Sequence, residues 1–193
     1  MDAPTPAKQP APGALEEVQA FVNSRDEGSG TDELGDADLA TTWLRDRGVE
    51  LEGPLPEAER GRLVEVREAL RDVLATHHGL PADRAAGQRL DRLLGEVRLH
   101  ARLSPEGATL APGGRGAEAY LARLAIAIIE ATVAGTWHRL KVCRLSTCRW
   151  AFYDHTKNAR GAWCSMRVCG SRAKARAYRA RQVAARTPMP AEH

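Results

Sequence analysis

Four cysteines, Cys143, Cys148, Cys164 and Cys169, lie in the last third of the chain, and there are no others. Their spacing is C-x4-C-x15-C-x4-C. Two close pairs joined by a short loop can gather four thiolates round one tetrahedral ion, as a structural zinc site requires, with no position left for water. Zinc held in this way contributes roughly 10–16 kcal/mol in apparent terms, which in a small module is folding energy. Three other uses of thiols fit less well. Disulfides need an oxidising compartment, and the N-terminus, Met1 to Pro12, carries no signal-peptide pattern. Iron–sulfur clusters ordinarily use tighter spacings. A redox pair favours C-x-x-C, which is absent.

The thiols sit in a strongly basic stretch. Residues 141–186 hold 12 Lys/Arg against a single acid, Asp154, while residues 1–140 hold 16 against 23 acids, so a module of +11 follows a body of −7. That asymmetry points to a polyanionic partner, the alternative being that the body neutralises the tail. Trp150, Phe152 and Tyr153 alternate as a short strand packing on the metal site. Lys157 to Gly161 reads as a hairpin turn, with Trp163 on the return strand. Ser165 suits the N-cap of a last helix over about 166–186. Met166, Cys169, Ala173, Ala177 and Ala180 share one narrow apolar face of that helix, which should lie on the zinc knuckle. Arg172, Arg176 and Arg179 form one flank, and Arg167, Lys174 and Arg181 the other. Such a helix can straddle phosphates or read a major groove. Exposed Trp150, Phe152, Tyr153 and Trp163 would instead favour stacking on unpaired RNA bases. An acidic protein is a third candidate partner.

The elements that must hold this module are mostly helical. A helix from about Ala14 carries Leu15, Val18, Phe21 and Val22 on one face. Asp26 to Gly35 reads as an acidic loop. Asp36 or Asp38 caps a second helix with Leu39, Trp43 and Leu44, stopped by Gly48. A long third helix runs from about Pro56 to His78 on a stripe of Leu63, Val66, Leu70, Val73 and Leu74, ended by Gly79-Leu80-Pro81. A fourth, shorter helix carries Leu90, Leu93 and Leu94. Alternation from Val97 to Leu110 about Ser104-Pro105-Glu106-Gly107 predicts a β-hairpin. A fifth helix, about Ala117 to Leu140, runs almost directly into Cys143. The fold class is mainly α (α+β): a disordered tail at 1–13, a helical body at 14–140 with one hairpin, a treble-clef-like four-cysteine finger at 141–186, and a tail at 187–193.

The Cys143–Arg176 segment resembles the CGNR zinc-finger family. The residues that carry the resemblance are Cys143, Cys148-Arg149-Trp150, Phe152, Asp154, Trp163-Cys164-Ser165-Met166 and Cys169-Gly170-Ser171-Arg172-Ala173-Lys174-Ala175-Arg176. Phe21-Val22-Asn23-Ser24-Arg25, Trp43-Leu44 and the helical plan of residues 15–140 resemble the ABATE domain that commonly precedes this finger. The resemblance implies Zn2+ at the four cysteines and a stress-response transcription regulator that binds DNA, not an enzyme. The family's eponymous Asn is Ser171 here, a shorter side chain without the amide.

The remaining expectations are local. Asn23 and Arg25 are candidates for a ligand pocket, with a buried cap or an ion pair to Asp26 or Glu27 as the competing reading. His77-His78 reads as a solvated helix cap. Trp43 and Trp137 belong in the core. No Gly-rich phosphate loop and no His/carboxylate pair at metal spacing is present, so enzymatic chemistry is not expected. No apolar run approaches the ~20 residues of a membrane helix, and a cytoplasmic protein follows. A homodimer placing two fingers on one pseudo-palindromic site is a candidate assembly, two-fold dimers being the commonest.

Overall fold

The computed structural model describes residues 9–79 and 83–186, with side chains followed to Gln182. Leu80, Pro81, most of the expected N-terminal tail and all of the C-terminal one lie outside that range. Among the described residues are six α-helices and three two-stranded antiparallel sheets.

Helix α1, Leu15–Val22, buries Leu15, Val18, Phe21 and Val22, the face its spacing predicts. The acidic segment after it is not merely a loop. It closes a two-residue hairpin, β1 (Arg25–Asp26) against β2 (Thr31–Asp32). Asp36 then caps α2, Ala37–Arg45, its carboxylate accepting from Leu39 N. Leu39 is half exposed, and the inward face of α2 is Ala40, Thr41, Trp43 and Leu44. Of the expected stripe Trp43 and Leu44 face inward, and Leu39, in the first turn, does not.

Helix α3, Glu57–Thr76, is the central strut, with Leu63, Val66, Leu70 and Leu74 inside. Helix α4, Arg84–Leu94, lies beside it, capped by Asp83. The predicted hairpin forms as β3 (Leu99–Ser104) and β4 (Gly107–Pro112), in register from Leu99↔Pro112 to Ser104↔Gly107. Helix α5, Gly116–Val133, brings Tyr120, Leu121 and Leu124 into the core. Phe21 and Trp43 each meet Tyr120 edge to face there and each other at a tilt, with centroids 5.4–5.8 Å apart.

Helix α5 ends at Val133, short of the expected Leu140. Gly135 takes φ +67°, and a single 3-10 turn, Trp137–Arg139, leads into β5, Leu140–Val142. A glycine in the left-handed region stops a helix at little cost, whatever apolar spacing continues beyond it. Trp137 packs half-buried against the core. Strand β5 pairs with β6, Ala151–Tyr153. The expected partner strand at Trp163 does not form, because β5 has taken its place. Leu140, Val142 and Ala151 belong to the same core as α1, α3 and α5, so the polypeptide on both sides of residue 140 shares one interior. No described helix is long and apolar enough to cross a membrane.

Candidate metal centre

The sheet formed by β5 and β6 is the mount of the cysteines, and side chains from the body satisfy both its edges. On the β5 edge, the ring of His77 bonds the Leu140 carbonyl at 2.7 Å (Nδ1) and that of His78 bonds the Val142 carbonyl at 2.7 Å (Nε2). The two histidines are therefore not a solvated cap. They fasten the C-terminal end of α3 to the strand that delivers Cys143. Burial lowers both imidazoles below their ordinary pKa, more than the carbonyl contacts raise them. On the β6 edge, Asn23 Nδ2 donates to the Ala151 carbonyl (2.9 Å) while its Oδ1 accepts from Ala151 N (2.7 Å), and Gln19 Nε2 adds a bond of 3.3 Å to the same carbonyl. These bonds pair the Leu140, Val142 and Ala151 carbonyls and the Ala151 amide without water.

Two buried arginines in α3 extend the clamp. Arg67 forks onto Asp32, at 2.6 and 2.9 Å, and reaches Ser24 Oγ, holding the small hairpin. Burial pushes the Asp32 carboxyl up, but the guanidinium and the Leu34 amide leave it below its usual range. Arg71 donates to the carbonyls of Val22 (2.6 Å) and Arg149 (2.9 Å), tying α1 to the cysteine loop. Glu68 accepts from both arginines. The sequence reading passed over these residues. Their signal is positional: Arg67 and Arg71 fall at i+4 and i+8 from Leu63, inside the apolar stripe.

Within the module, the lone acid Asp154 is structural. Its carboxylate, 2% exposed, accepts from Lys141 Nζ (3.0 Å), Gly161 N (2.6 Å), Thr156 N (3.1 Å) and Thr156 Oγ1 (2.6 Å). Burial alone would raise it, but these donors bring its pKa down to about 2.

The four sulfurs converge between β5 and the start of the last helix. Their Sγ atoms all lie within 4.8 Å of one another, and Cys164 stands 3.5 Å from both Cys148 and Cys169. A tetrahedral ion with metal–sulfur bonds of about 2.3 Å sets sulfurs about 3.8 Å apart, so the spacing fits. Cys143 follows β5 and Cys148 closes the next tight turn (Cys148 N to Leu145 O, 2.8 Å). Cys164 precedes Ser165, whose hydroxyl accepts from Val168 N as predicted for a cap. Cys169 lies in a wide π turn, Met166–Gly170, closed by Gly170 N to Ser165 O at 3.0 Å. The regular helix α6, Ser171–Arg186, starts only after it. The backbone amides of Leu145 and Cys164 donate to Cys143 Sγ, as expected for a sulfur meant to carry charge. Without a cation the cluster cannot ionise readily. Hydrogen bonds that the Cys143 thiol donates to Cys148 and Cys164, then burial, push it up, and burial pushes Cys169 to about 12. A dication reverses that preference. The residues present fit such an ion, and Leu145, Trp163 and Val168 seal its small apolar shell.

Helix α6 does not bury the stripe expected of it. Met166 is 63% exposed, Ala177 and Ala180 are exposed, and contact with the cysteine cluster stops near Ala173. Arg176 reaches the loop between Cys143 and Cys148 by a 3.4 Å contact to Ser146 Oγ. Arg167, Arg172, Lys174, Arg176, Arg179 and Arg181 are all exposed, and none of them pairs with a carboxylate among the described residues. The module's described ion pairs are Lys141–Asp154 and Arg149–Asp72. Phe152 is buried, and Trp150, Tyr153 and Trp163 are half-buried. Asn23 is committed to Ala151, and Arg25 pairs with Glu27 (3.3 Å) and Asp32 (3.8 Å), so both follow the cap-and-ion-pair reading.

A helical body gripping a two-stranded mount, from which a four-thiol centre launches a cationic helix, defines a metal-finger protein. Residues 139–182 match the CGNR zinc finger, and residues 16–135 match ABATE, described as "Putative stress-induced transcription regulator". The second match spans more than half of the chain, and the chain belongs to that family, with the finger following the ABATE domain. None of the curated proteins compared with it matches.

Proposed function

We propose that this protein is a cytoplasmic, non-enzymatic transcription regulator that holds Zn2+ at Cys143, Cys148, Cys164 and Cys169 and binds duplex DNA through α6. The body is its regulatory half, sensing a signal or pairing with a second copy. One observation carries the reading: the six cations of α6 and its entry turn are exposed and unpaired by carboxylates among the described residues, on a helix anchored only at its base. Neutralisation by the acidic body would need contacts that α6 does not make there. A helix of one charge sign gains nothing from its own i,i+4 pairs, and phosphates supply the missing counter-charge.

RNA is the less favoured partner, since none of the four aromatic rings stands free as a stacking platform. The test is a titration of random-sequence duplex followed by anisotropy at several salt concentrations. About six phosphate contacts give a log–log slope near −5. Removing Arg172, Arg176 and Arg179 together brings the slope to about −3. A flat titration at low salt, or tighter binding of single-stranded RNA, overturns the reading. Elemental analysis should find about one equivalent of zinc per chain.

A further inference from the structure

Residues 155–161 lead from β6 towards Cys164, and they are held more firmly than a connection of that length requires. The Asp154 carboxylate takes Thr156 N and Oγ1 at one end of the segment and Gly161 N at the other. Lys141, 1% exposed, reaches it from beneath: its ammonium pairs with Asp154 and donates to the Ala159 carbonyl at 2.5 Å. Arg139 Nη1 donates to the carbonyls of Asp154 (3.0 Å) and Thr156 (2.9 Å). Ala159 N closes the turn onto Thr156 O at 3.2 Å, and Ala159 takes φ +47°. An alanine in the left-handed region is strained where a glycine is not, and the strain persists only where the surroundings over-determine it. Gly161 has no room for a side chain, since a Cβ there would stand 2.9 Å from the Asp154 carboxylate.

This fixed base presents cations. Lys157 and Arg160 are exposed. So is Arg144, whose amide donates to Ala162 O at 3.0 Å and so brings the Cys143–Cys148 loop against the end of the segment. None of the three pairs with a carboxylate among the described residues. Asp154, the one acid in this stretch of chain, is buried and matched by Lys141, so it offers them no counter-charge at the surface. The Cys143–Cys148 loop is also where α6 makes contact, through Arg176 and Ser146 Oγ. Arg144, Lys157 and Arg160 therefore share one frame with the base of α6, joined through Ala162–Arg144 and Ser146–Arg176. Cations on a rigid mount lose less freedom on binding than cations on a loose one, and a run of them without acids suits a run of phosphates.

We infer that this loop is a second duplex contact of the finger, with Arg144, Lys157 and Arg160 taking backbone phosphates beside those that α6 takes. The inference rests on the reading of the finger as a duplex binder, and its test separates the two. Full-length, zinc-loaded protein is titrated with random-sequence duplex at several salt concentrations. Three phosphates beyond those of α6 steepen the log–log slope from about −5 to about −8. Replacing Arg144, Lys157 and Arg160 together with Ala should return it to about −5. Replacing three exposed arginines of the body, Arg84, Arg92 and Arg102, should leave it at about −8. In the unaltered protein, duplex should move the amide resonances of residues 144 and 155–161 as well as those of α6, a readout that needs no variant. A slope that the loop variant leaves unchanged, an equal loss from the body variant, or amide shifts confined to α6 would each overturn the inference while the α6 reading stands. A parent protein that binds no duplex sinks both.

Discussion

Arg71 Nη1 donates to the carbonyl oxygen of Arg149 at 2.9 Å, across 78 residues of sequence. Arg71 is fully buried in the body, and Arg149 sits one residue beyond a metal-binding cysteine with φ +46°. A left-handed conformation at a non-glycine residue is held only where its surroundings over-determine it. Here the carbonyl is bound by Arg71, and the Arg149 side chain is drawn to Asp72 at 2.9 Å. The body and the finger are thus joined through α3 by hydrogen bonds as well as by apolar packing.

Replacing Arg71 with Ala leaves the carbonyls of Val22 and Arg149 short of a donor in a dry place. The expected loss is about 3 kcal/mol in global stability, by urea denaturation of the zinc-loaded protein. Arg71→Lys should restore little, since one ammonium cannot span both carbonyls and Glu68. A change below about 0.5 kcal/mol for Arg71→Ala would show that the clamp is ornamental.

Chelation should divide the molecule unevenly. Hydrogen exchange after metal removal should rise sharply over residues 143–150 and 160–180, where four thiols are the principal anchor. Strands β5 and β6 should stay protected, because their edges are bound by His77, His78, Asn23 and Gln19 and their inner residues belong to the body's core. Uniform loss of protection, β5 included, would mean that the metal organises the strands as well.

His77 carries a pH dependence of definite sign. Its folded-state pKa lies below 6.5 because burial disfavours the cation. The folded state therefore binds fewer protons than the unfolded one just below that value. Stability from this group is fully present above pH 6.5 and is lost as the pH falls towards the folded pKa, by about 1.4 kcal/mol per unit of depression. A proton NMR titration of the His77 ring should show a midpoint under 6.5, and a midpoint above it would contradict the burial argument.

Gly170→Ala tests the wide turn. A Cβ there would stand 2.4 Å from Met166 Sδ and 3.2 Å from Trp163 Cδ1. Met166 is exposed and can move aside, whereas Trp163 seals the cysteine cluster. The variant should lose about 1–2 kcal/mol and release zinc faster to a competing chelator. Unchanged release kinetics would show that the Trp163 contact does not matter.

Several elements were legible because their cause is local. The apolar spacing of α1 and α3, the Asp36 cap and the two-residue turn between β3 and β4 need only neighbours in the chain. The four-thiol centre was legible too, since the spacing of the cysteines admits few other chemistries. The pairing of β6 was not. Ala151–Tyr153 reads as a strand, but its partner depends on where α5 stops, and Gly135 decides that against an apolar pattern that continues past it. The stripe of α6 misled for a related reason: helical periodicity says which residues share a face, not whether anything lies opposite.

Residue types and their order alone determined a helical body, a thiolate metal site and an excess of positive charge behind it, because periodicity, capping and coordination chemistry act over a few residues. Which histidines and arginines are buried, which strand edge each amide closes, that Asp154 is a strut and not a surface charge, and that the Tyr120 phenol lies in the core were decided by the tertiary structure. Those facts depend on desolvation and on contacts between segments dozens of residues apart, and linear spacing holds no record of either.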